Sequence, residues 1–347
     1  MTWFYLLSGL FLGWSLGAND AANVFGTAVG ARMVRFKTAA LVSSAFVILG
    51  AVLGGAGTTD TLVALGGVNA PAASFTLALV AGLTVLWMTR AALPVSTTQA
   101  IVGAIVGWNL FTHSPTDPKI LTKIMATWVL SPVLAGVFGV ALYFLSKAVL
   151  NRTRIHLLRL DAYTRAGLIV VGALGAYSLG ANNIANVVGV FVRAAPFPDV
   201  AIAGPLHLSG AQQLFLLGGI AISVGICSYS FRVMAAVGNE IVKLTPILAM
   251  IAVLAHSLVL LLFASQGLRN VLTSIGLPAL PLVPVSSSQA IVGAISGIGL
   301  VKSSRVVNYR YLGKIAVGWV LTPIMAALMS FVALFFVQNV FQQTVVQ

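Results

Sequence analysis

Long apolar runs, separated by short basic loops, recur along the whole of this 347-residue chain. Each run is close to the ~20 residues that a helix needs to cross the hydrocarbon core of a bilayer. Only 7% of the residues are charged, against roughly a quarter in a soluble domain. The sequence lacks the alternating pattern of a membrane β-barrel, and helices satisfy every backbone polar group in lipid. We therefore predict an all-α polytopic protein of the cell membrane, the inner or plasma membrane.

The chain also contains two copies of one unit. GANDAAN at residues 17–23 returns as GANNIAN at 180–186, PVSTTQAIVGAIVG at 94–107 returns as PVSSSQAIVGAISG at 284–297, and WVLSP at 128–132 returns as WVLTP at 319–323. Three matches in the same order indicate an internal duplication. We place the first transmembrane repeat at residues 1–150 and the second at 151–347.

The basic loops predict how the two repeats are oriented. The predicted spans are 3–31, 38–56, 72–90, 94–112 and 124–147, then 164–192, 209–227, 245–266, 282–300 and 315–340. If each span crosses once, the loops around Arg35, Arg154 and Arg310 all fall on one side of the membrane, as the positive-inside rule requires. Each repeat then holds an odd number of crossings, so the second is inverted, an arrangement common in secondary transporters. Two half-crossings around Pro94 would place its Ser/Thr cluster at mid-depth, so we expect some spans to be broken or re-entrant.

Polar residues interrupt the first span of each repeat. An ionised Asp20 near the bilayer centre costs several kcal/mol unless it is paired or solvated. Matched polar groups at mid-depth in Gly-flanked helices indicate a binding site at the repeat interface, whereas isolated Asn residues often only hydrogen-bond neighbouring helices. The matched sets are Asn19, Asp20 and Asn23 in the first repeat and Asn182, Asn183 and Asn186 in the second.

The PVS motifs are typical of helix starts, where proline is tolerated and Ser or Thr caps free amides. Such a terminus also favours an anion, although a single cluster is more often an ordinary cap. Two of them facing each other would surround a tetrahedral oxyanion, with Asn19 and Asn182 beside it and the matched Gln99 and Gln289 behind. The predicted anion ligands are Ser96, Thr97, Thr98, Ser286, Ser287 and Ser288.

A coupling cation is expected beside the anion. Carboxylate and amide oxygens suit a small hard cation such as Na⁺, and entry of a bare anion into a negative interior is uphill by ~2.3 kcal/mol per charge per 100 mV. The sequence therefore predicts Na⁺ or H⁺ coupling without a cofactor. The four histidines lack metal-ligand spacing and are interpreted as surface or packing residues. With six acidic residues in all, the chain offers few candidates for a catalytic acid–base set, so an enzyme is not favoured. The net charge of +13 is explained by basic loops that orient the helices rather than by nucleic-acid binding.

The four motifs resemble the signatures of the inorganic phosphate transporter family over nearly the whole chain. The resemblance implies inverted repeats, a homodimer in membrane lipid, and symport of phosphate with Na⁺, in some members with H⁺ or as a metal–phosphate complex. Carried over by motif, Asp20, Asn23, Asn183 and Asn186 hold the cation, while the two Ser/Thr clusters hold the anion.

Three positions depart from that family pattern. Asn183 stands where the family usually has Asp, and Gln99 and Gln289 stand where it usually has His. Phosphate carries protons that a carboxylate can accept, whereas sulfate carries none. The second half of the site has lost such an acceptor at Asn183, which favours sulfate, and the family includes sulfate permeases. The family resemblance nevertheless places cation-coupled phosphate import by alternating access first, with a sulfate permease as the alternative and an anion channel as a more distant one.

Overall fold

A computed structural model describes residues 2–90, 95–153, 155–194, 197–203, 206–237, 244–278, 280–302 and 308–346, so Pro94 of the first PVS motif lies outside the described residues. The described chain is almost entirely helical, as predicted. Its helices are α1 (Thr2–Gly30), α2 (Phe36–Gly54), α3 (Ala56–Gly66), α4 (Pro71–Arg90), α5 (Thr97–Thr112), α6 (Pro118–Arg152), α7 (Leu157–Val188), α8 (Phe191–Ala194), α9 (Gly210–Ser228), α10 (Ser230–Val237), α11 (Pro246–Ala264), α12 (Gln266–Ser274), α13 (Ser287–Lys302) and α14 (Tyr309–Asn339). A small hairpin pairs β1 (Val200–Ala203) with β2 (Leu206–Leu208).

Each of the ten predicted spans falls on a helix, but they are not ten equivalent crossings. Among the described residues, seven helices are long and apolar enough to span a membrane: α2, α4, α6, α7, α9, α11 and α14. Helix α1 has 29 residues and carries the polar GAND motif at its centre. Helices α5 and α13 have 16 residues each, or about 24 Å, which is shorter than the ~30 Å bilayer core.

Helix ends differ from the predicted span ends where helices continue into water. Helix α6 begins at Pro118 rather than at 124 because the Asp117 side chain accepts hydrogen bonds from the amides of Lys119 and Ile120. Helix α7 begins at Leu157 rather than at 164, capped by His156. Hydropathy marks the part of a helix that suits lipid, and it does not register a polar first turn.

The long helices that carry the GAND motifs are not broken. Helices α1 and α7 run without interruption through residues 17–23 and 180–186, so the glycines around these motifs do not unwind either helix. Their glycines serve close packing instead. A Cβ at Gly17 would overlap the Ile222 carbonyl of α9, and one at Gly180 would overlap the Val47 carbonyl of α2.

The interruption lies ahead of the short helices. Residues 280–286, which precede α13, are non-helical, and so are Val95 and Ser96 ahead of α5. Both PVS helices therefore begin inside the protein among buried residues.

Helix packing repeats between the halves with partners exchanged. Helix α1 of the first half packs on α9 and α4, and α7, its counterpart in the second half, packs on α2 and α11. In the same way, α5 of the first half packs on α14 of the second, and α13 of the second half packs on α6 of the first. The third motif lies at that last contact, where Gly103 meets Pro323 and Gly293 meets Pro132. This exchange brings elements of both repeats into one core. The outer helices α6 and α14 expose large apolar side chains, among them Val133, Phe144, Ile324 and Phe335, as a lipid-facing surface does.

Candidate functional site at the meeting point of the two halves

Both PVS motifs start helices, as predicted. Ser96 is the N-cap of α5, and its Oγ accepts a hydrogen bond of 3.1 Å from the Gln99 amide. In the second half, Ser286 Oγ accepts one of 3.2 Å from the Gln289 amide. The amides at the start of each helix have no partner within the helix, so each terminus presents donors to the protein interior.

Each GAND helix meets the PVS helix of the other half. Asn23 Nδ2 of α1 lies 3.0 Å from Ser287 Oγ and 3.4 Å from Ser288 Oγ of α13. Asn186 Nδ2 of α7 lies 2.9 Å from Thr98 Oγ1 of α5. The four motifs therefore converge. We name Asp20, Asn23, Ser286, Ser287 and Ser288 the first cluster, and Asn183, Asn186, Ser96, Thr97 and Thr98 the second cluster.

Within each cluster the GAND side chains also contact each other. Asn23 Nδ2 is 3.5 Å from Asp20 Oδ1, and Asn186 Nδ2 is 2.9 Å from Asn183 Oδ1. All four are buried, Asp20 with 2% of its surface exposed. Their oxygens form a set of hard ligands of the kind that a small cation prefers.

The hydroxyl groups of the PVS motifs have different roles. Thr98 donates to the Val285 carbonyl at 3.2 Å, and Ser288 donates to the Val95 carbonyl at 2.7 Å. These bonds tie each PVS helix to the segment that precedes the other. A hydroxyl has a single hydrogen, so Thr98 and Ser288 have none left for an anion, whereas the hydrogens of the capping hydroxyls, Ser96 and Ser286, and of the middle hydroxyls, Thr97 and Ser287, are not bonded to a backbone carbonyl.

The two middle hydroxyls have different surroundings. Thr97 Oγ1 is buried and has no hydrogen-bond partner among the described residues. Ser287 Oγ accepts from Asn23 and lies 2.9 Å from Nε2 of His256, a fully buried residue of α11. The sequence interpretation gave His256 a packing role and missed this contact. The available signal was an imidazole inside a helix with a mean hydropathy of 2.7, where a polar residue usually has a functional reason.

Asn19 and Asn182, both predicted anion ligands, bond to their own surroundings. Asn19 Nδ2 donates to Thr89 Oγ1 of α4 at 2.7 Å. Asn182 Oδ1 accepts from the Val285 amide at 2.8 Å, and its Nδ2 donates to the carbonyls of Leu260 and Val283. Asn182 thereby fixes the non-helical segment that leads into Ser286.

Several buried polar atoms around the clusters lack a protein partner. Leaving such an atom unsatisfied costs ~1–3 kcal/mol, and in native proteins each one calls for a ligand, a water or a functional reason. At the motifs these atoms are Thr97 Oγ1, Gln99 Oε1, Asn183 Nδ2, Asn186 Oδ1, His256 Nδ1 and Gln289 Oε1.

A polar cavity of about 450 Å³ reaches the segment ahead of α13. Its charged lining comes from Asp60, Lys123 and Arg269, and its wall includes Leu282 and Val283. Because the Val283 carbonyl accepts from Asn182, the wall of the cavity contacts the GAND helix of the second half.

A polytopic helical protein that gathers hydroxyls, amides and a carboxylate between two related halves is built as a solute transporter rather than as an enzyme. The chain belongs to the phosphate transporter family, whose sequence model matches residues 16–330, with a second match over 279–345.

Named relatives match this chain over nearly the whole of their own length. A candidate phosphate permease of Methanocaldococcus jannaschii is 26% identical over 329 residues, which cover 94% of this chain and 95% of that protein. One of Thermococcus kodakarensis is 23% identical over 402 residues, with the same coverage. A solved structure described as the sodium-dependent phosphate transporter shares the fold, with a TM-score of 0.77 and 22% identity over 97% of this chain and 98% of its own.

Proposed function

We propose that the chain imports inorganic phosphate across the plasma membrane together with a cation, Na⁺ in the first instance, by alternating access. The observation that carries the proposal is the convergence of the four motifs, in which Asn23 reaches Ser287 and Asn186 reaches Thr98. A helix start from each half faces this meeting point, and such termini favour anions. Family membership and the names of the relatives favour phosphate as that anion.

In this proposal the middle hydroxyls of Thr97 and Ser287, with the first amides of α5 and α13, donate to the phosphate oxygens. Asn19 and Asn182 position the surrounding segments rather than touch the anion. Protonated phosphate also donates, and the two oxygens of the Asp20 carboxylate are available acceptors, since a carboxylate can face a cation and accept a hydrogen bond at the same time. Sulfate carries no proton to give them, which favours phosphate over sulfate.

The cation offsets the negative charge of phosphate, whose entry the membrane potential opposes. Moving a divalent phosphate inward against 100 mV costs about 4.6 kcal/mol, so a coupled cation makes uptake feasible. We assign Asp20, Asn23, Asn183 and Asn186 to this cation, because their side chains carry hard oxygens and the two members of each pair contact each other within the buried core. The exchanged packing of the two halves supports inverted repeats, in which one half rocks against the other around a fixed site.

Uptake of labelled phosphate into proteoliposomes tests the proposal. We expect saturable uptake that an inward Na⁺ gradient drives and that excess unlabelled sulfate inhibits only weakly. Replacing the Na⁺ gradient by a pH gradient separates Na⁺ from H⁺ coupling. Stronger competition by sulfate would assign a sulfate permease, a non-saturating current would assign a channel, and the absence of phosphate uptake would refute the proposal.

A further inference from the structure

His256 lies in the most apolar of the seven span helices, with a mean hydropathy of 2.7. Its side chain is fully buried, Nε2 is 2.9 Å from Ser287 Oγ, and Nδ1 has no partner. Burying a polar ring is unfavourable unless its hydrogen bonds are satisfied. One ring nitrogen is therefore held against a hydroxyl of the first cluster, whereas the neighbouring polar side chain of α11, Ser257, donates to the Val253 carbonyl of its own helix.

The hydrogen bonds of Ser287 show what this contact does. A serine hydroxyl donates one hydrogen bond and accepts two. Asn23 already donates to Ser287 Oγ at 3.0 Å. If Nε2 of His256 carries its hydrogen and donates as well, both acceptor positions are filled and the Ser287 hydrogen is free to point away from both. If Nε2 accepts instead, that hydrogen is taken and Ser287 has nothing to donate to an anion.

Among the described residues, the second cluster has no histidine in the position that His256 takes beside Ser287. Thr97 occupies the position of Ser287 in the first PVS motif, and its hydroxyl has no partner. When α4 is aligned with α11 at their first prolines, Ala81 takes the place of His256. The Thr97 hydroxyl is thus free to rotate, whereas the Ser287 hydroxyl is fixed by Asn23 and His256.

We propose that His256, as the Nε2–H tautomer, is a positioning residue that fills the second acceptor position of Ser287 and directs its hydroxyl hydrogen to the transported oxyanion. The role rests on the proposed function, because the ligand of Ser287 is the phosphate. His256 acts through Ser287 and does not itself contact the anion.

Substitution of His256 by Gln, Asn or Leu tests this role. The side-chain amide of Gln reaches the position of Nε2, that of Asn reaches only the position of Nδ1, and Leu has no hydrogen-bonding group. In proteoliposomes, His256→Leu and His256→Asn should raise the half-saturation for phosphate about tenfold, the usual cost of losing a hydrogen bond to a charged group. His256→Gln should recover most of that loss, and the maximal rate per inserted protein should change less than the half-saturation. His207, exposed on β2, supplies the control variant His207→Gln.

A double-mutant cycle with Ser287→Ala completes the test. If His256 acts through Ser287, His256→Leu adds no further loss in the Ser287→Ala background. Additive losses, a wild-type half-saturation in His256→Leu, or equal values for Gln and Asn would each overturn the role of His256 while phosphate transport stands. If His256→Leu does not insert, the Gln and Asn pair decides alone. Absence of phosphate uptake by the wild-type protein would overturn both proposals.

Discussion

The first and second clusters share one bonding pattern and differ in chemistry. In both, the last Asn of the GAND motif donates to a PVS hydroxyl of the other half, and the third hydroxyl donates to the backbone of the other half. The first cluster alone contains a carboxylate, Asp20, where the second has Asn183. It is also the cluster that His256 contacts.

The difference shows which parts of a duplicated site are free to change. The bonds that tie one half to the other are present twice, because losing either would separate a PVS helix from its support. The charged and titratable groups are present once. Asp20 and His256 are the only acidic or basic side chains among the buried residues that the structure describes. The scaffold is therefore close to symmetric, while the charge that a cation would meet lies on one side.

Replacing Asp20 by Asn makes the clusters chemically alike and is expected to have the largest effect. A buried cation that loses its carboxylate partner is destabilised by ~3–5 kcal/mol, so we expect Na⁺-driven phosphate uptake to fall by about two orders of magnitude. A Na⁺ titration of initial uptake rates measures this loss.

The matched control is Asp161→Asn. Asp161 is exposed and pairs only with Arg165 of the same helix at 3.2 Å, a type of ion pair that contributes little. Unchanged Na⁺ dependence in Asp20→Asn would show that the asymmetry of the clusters has no part in coupling.

The middle and third hydroxyls provide a second, smaller test. Ser287→Ala and Thr97→Val should each raise the half-saturation for phosphate about tenfold, because a hydrogen bond to a charged group contributes ~1.5–3 kcal/mol. Half-saturation from initial rates at fixed Na⁺ is the measurement.

Ser288→Ala and Thr98→Val serve as controls one residue further along. Their hydroxyls donate to the Val95 and Val285 carbonyls, so these variants should lower the thermal unfolding temperature in detergent more than they change half-saturation. The reverse result, with the third hydroxyls governing affinity, would contradict the division of roles.

The sequence predicted the helix starts at Ser96 and Ser286 because capping is local. It predicted that the four motifs converge because matched polar groups at mid-depth in two repeats indicate a shared site at their interface. It did not predict which hydroxyls face a ligand. Thr97 and Thr98 are adjacent and chemically identical, and only the backbone of the other half distinguishes them. The His256–Ser287 contact spans 31 residues, and no periodicity encodes it.

The conformation of the first GAND motif could not be predicted for a related reason. Glycines at 13, 17, 26 and 30 fit either an unwound helix or a tightly packed one. The choice depends on whether another backbone approaches, and at Gly17 the Ile222 carbonyl does. Short elements such as α3 and α12 were missed because their residues are too few or too polar to register in a search for spans.

The approach to the site is a further asymmetry and carries the smallest expected effect. The cavity beside α13 has two cationic side chains, Lys123 and Arg269, against one carboxylate, Asp60. A basic lining raises the local concentration of an anion and speeds its entry. These residues are exposed, so salt screens them strongly. The double variant Lys123→Gln, Arg269→Gln should raise the half-saturation for phosphate by about two- to threefold at low ionic strength, and the difference should disappear in high salt.

Lys147→Gln, on the same helix as Lys123 but away from the cavity, is the control. An effect that persists in high salt would mean that Lys123 or Arg269 binds phosphate directly, and no effect at low salt would mean that phosphate reaches the first cluster by another route.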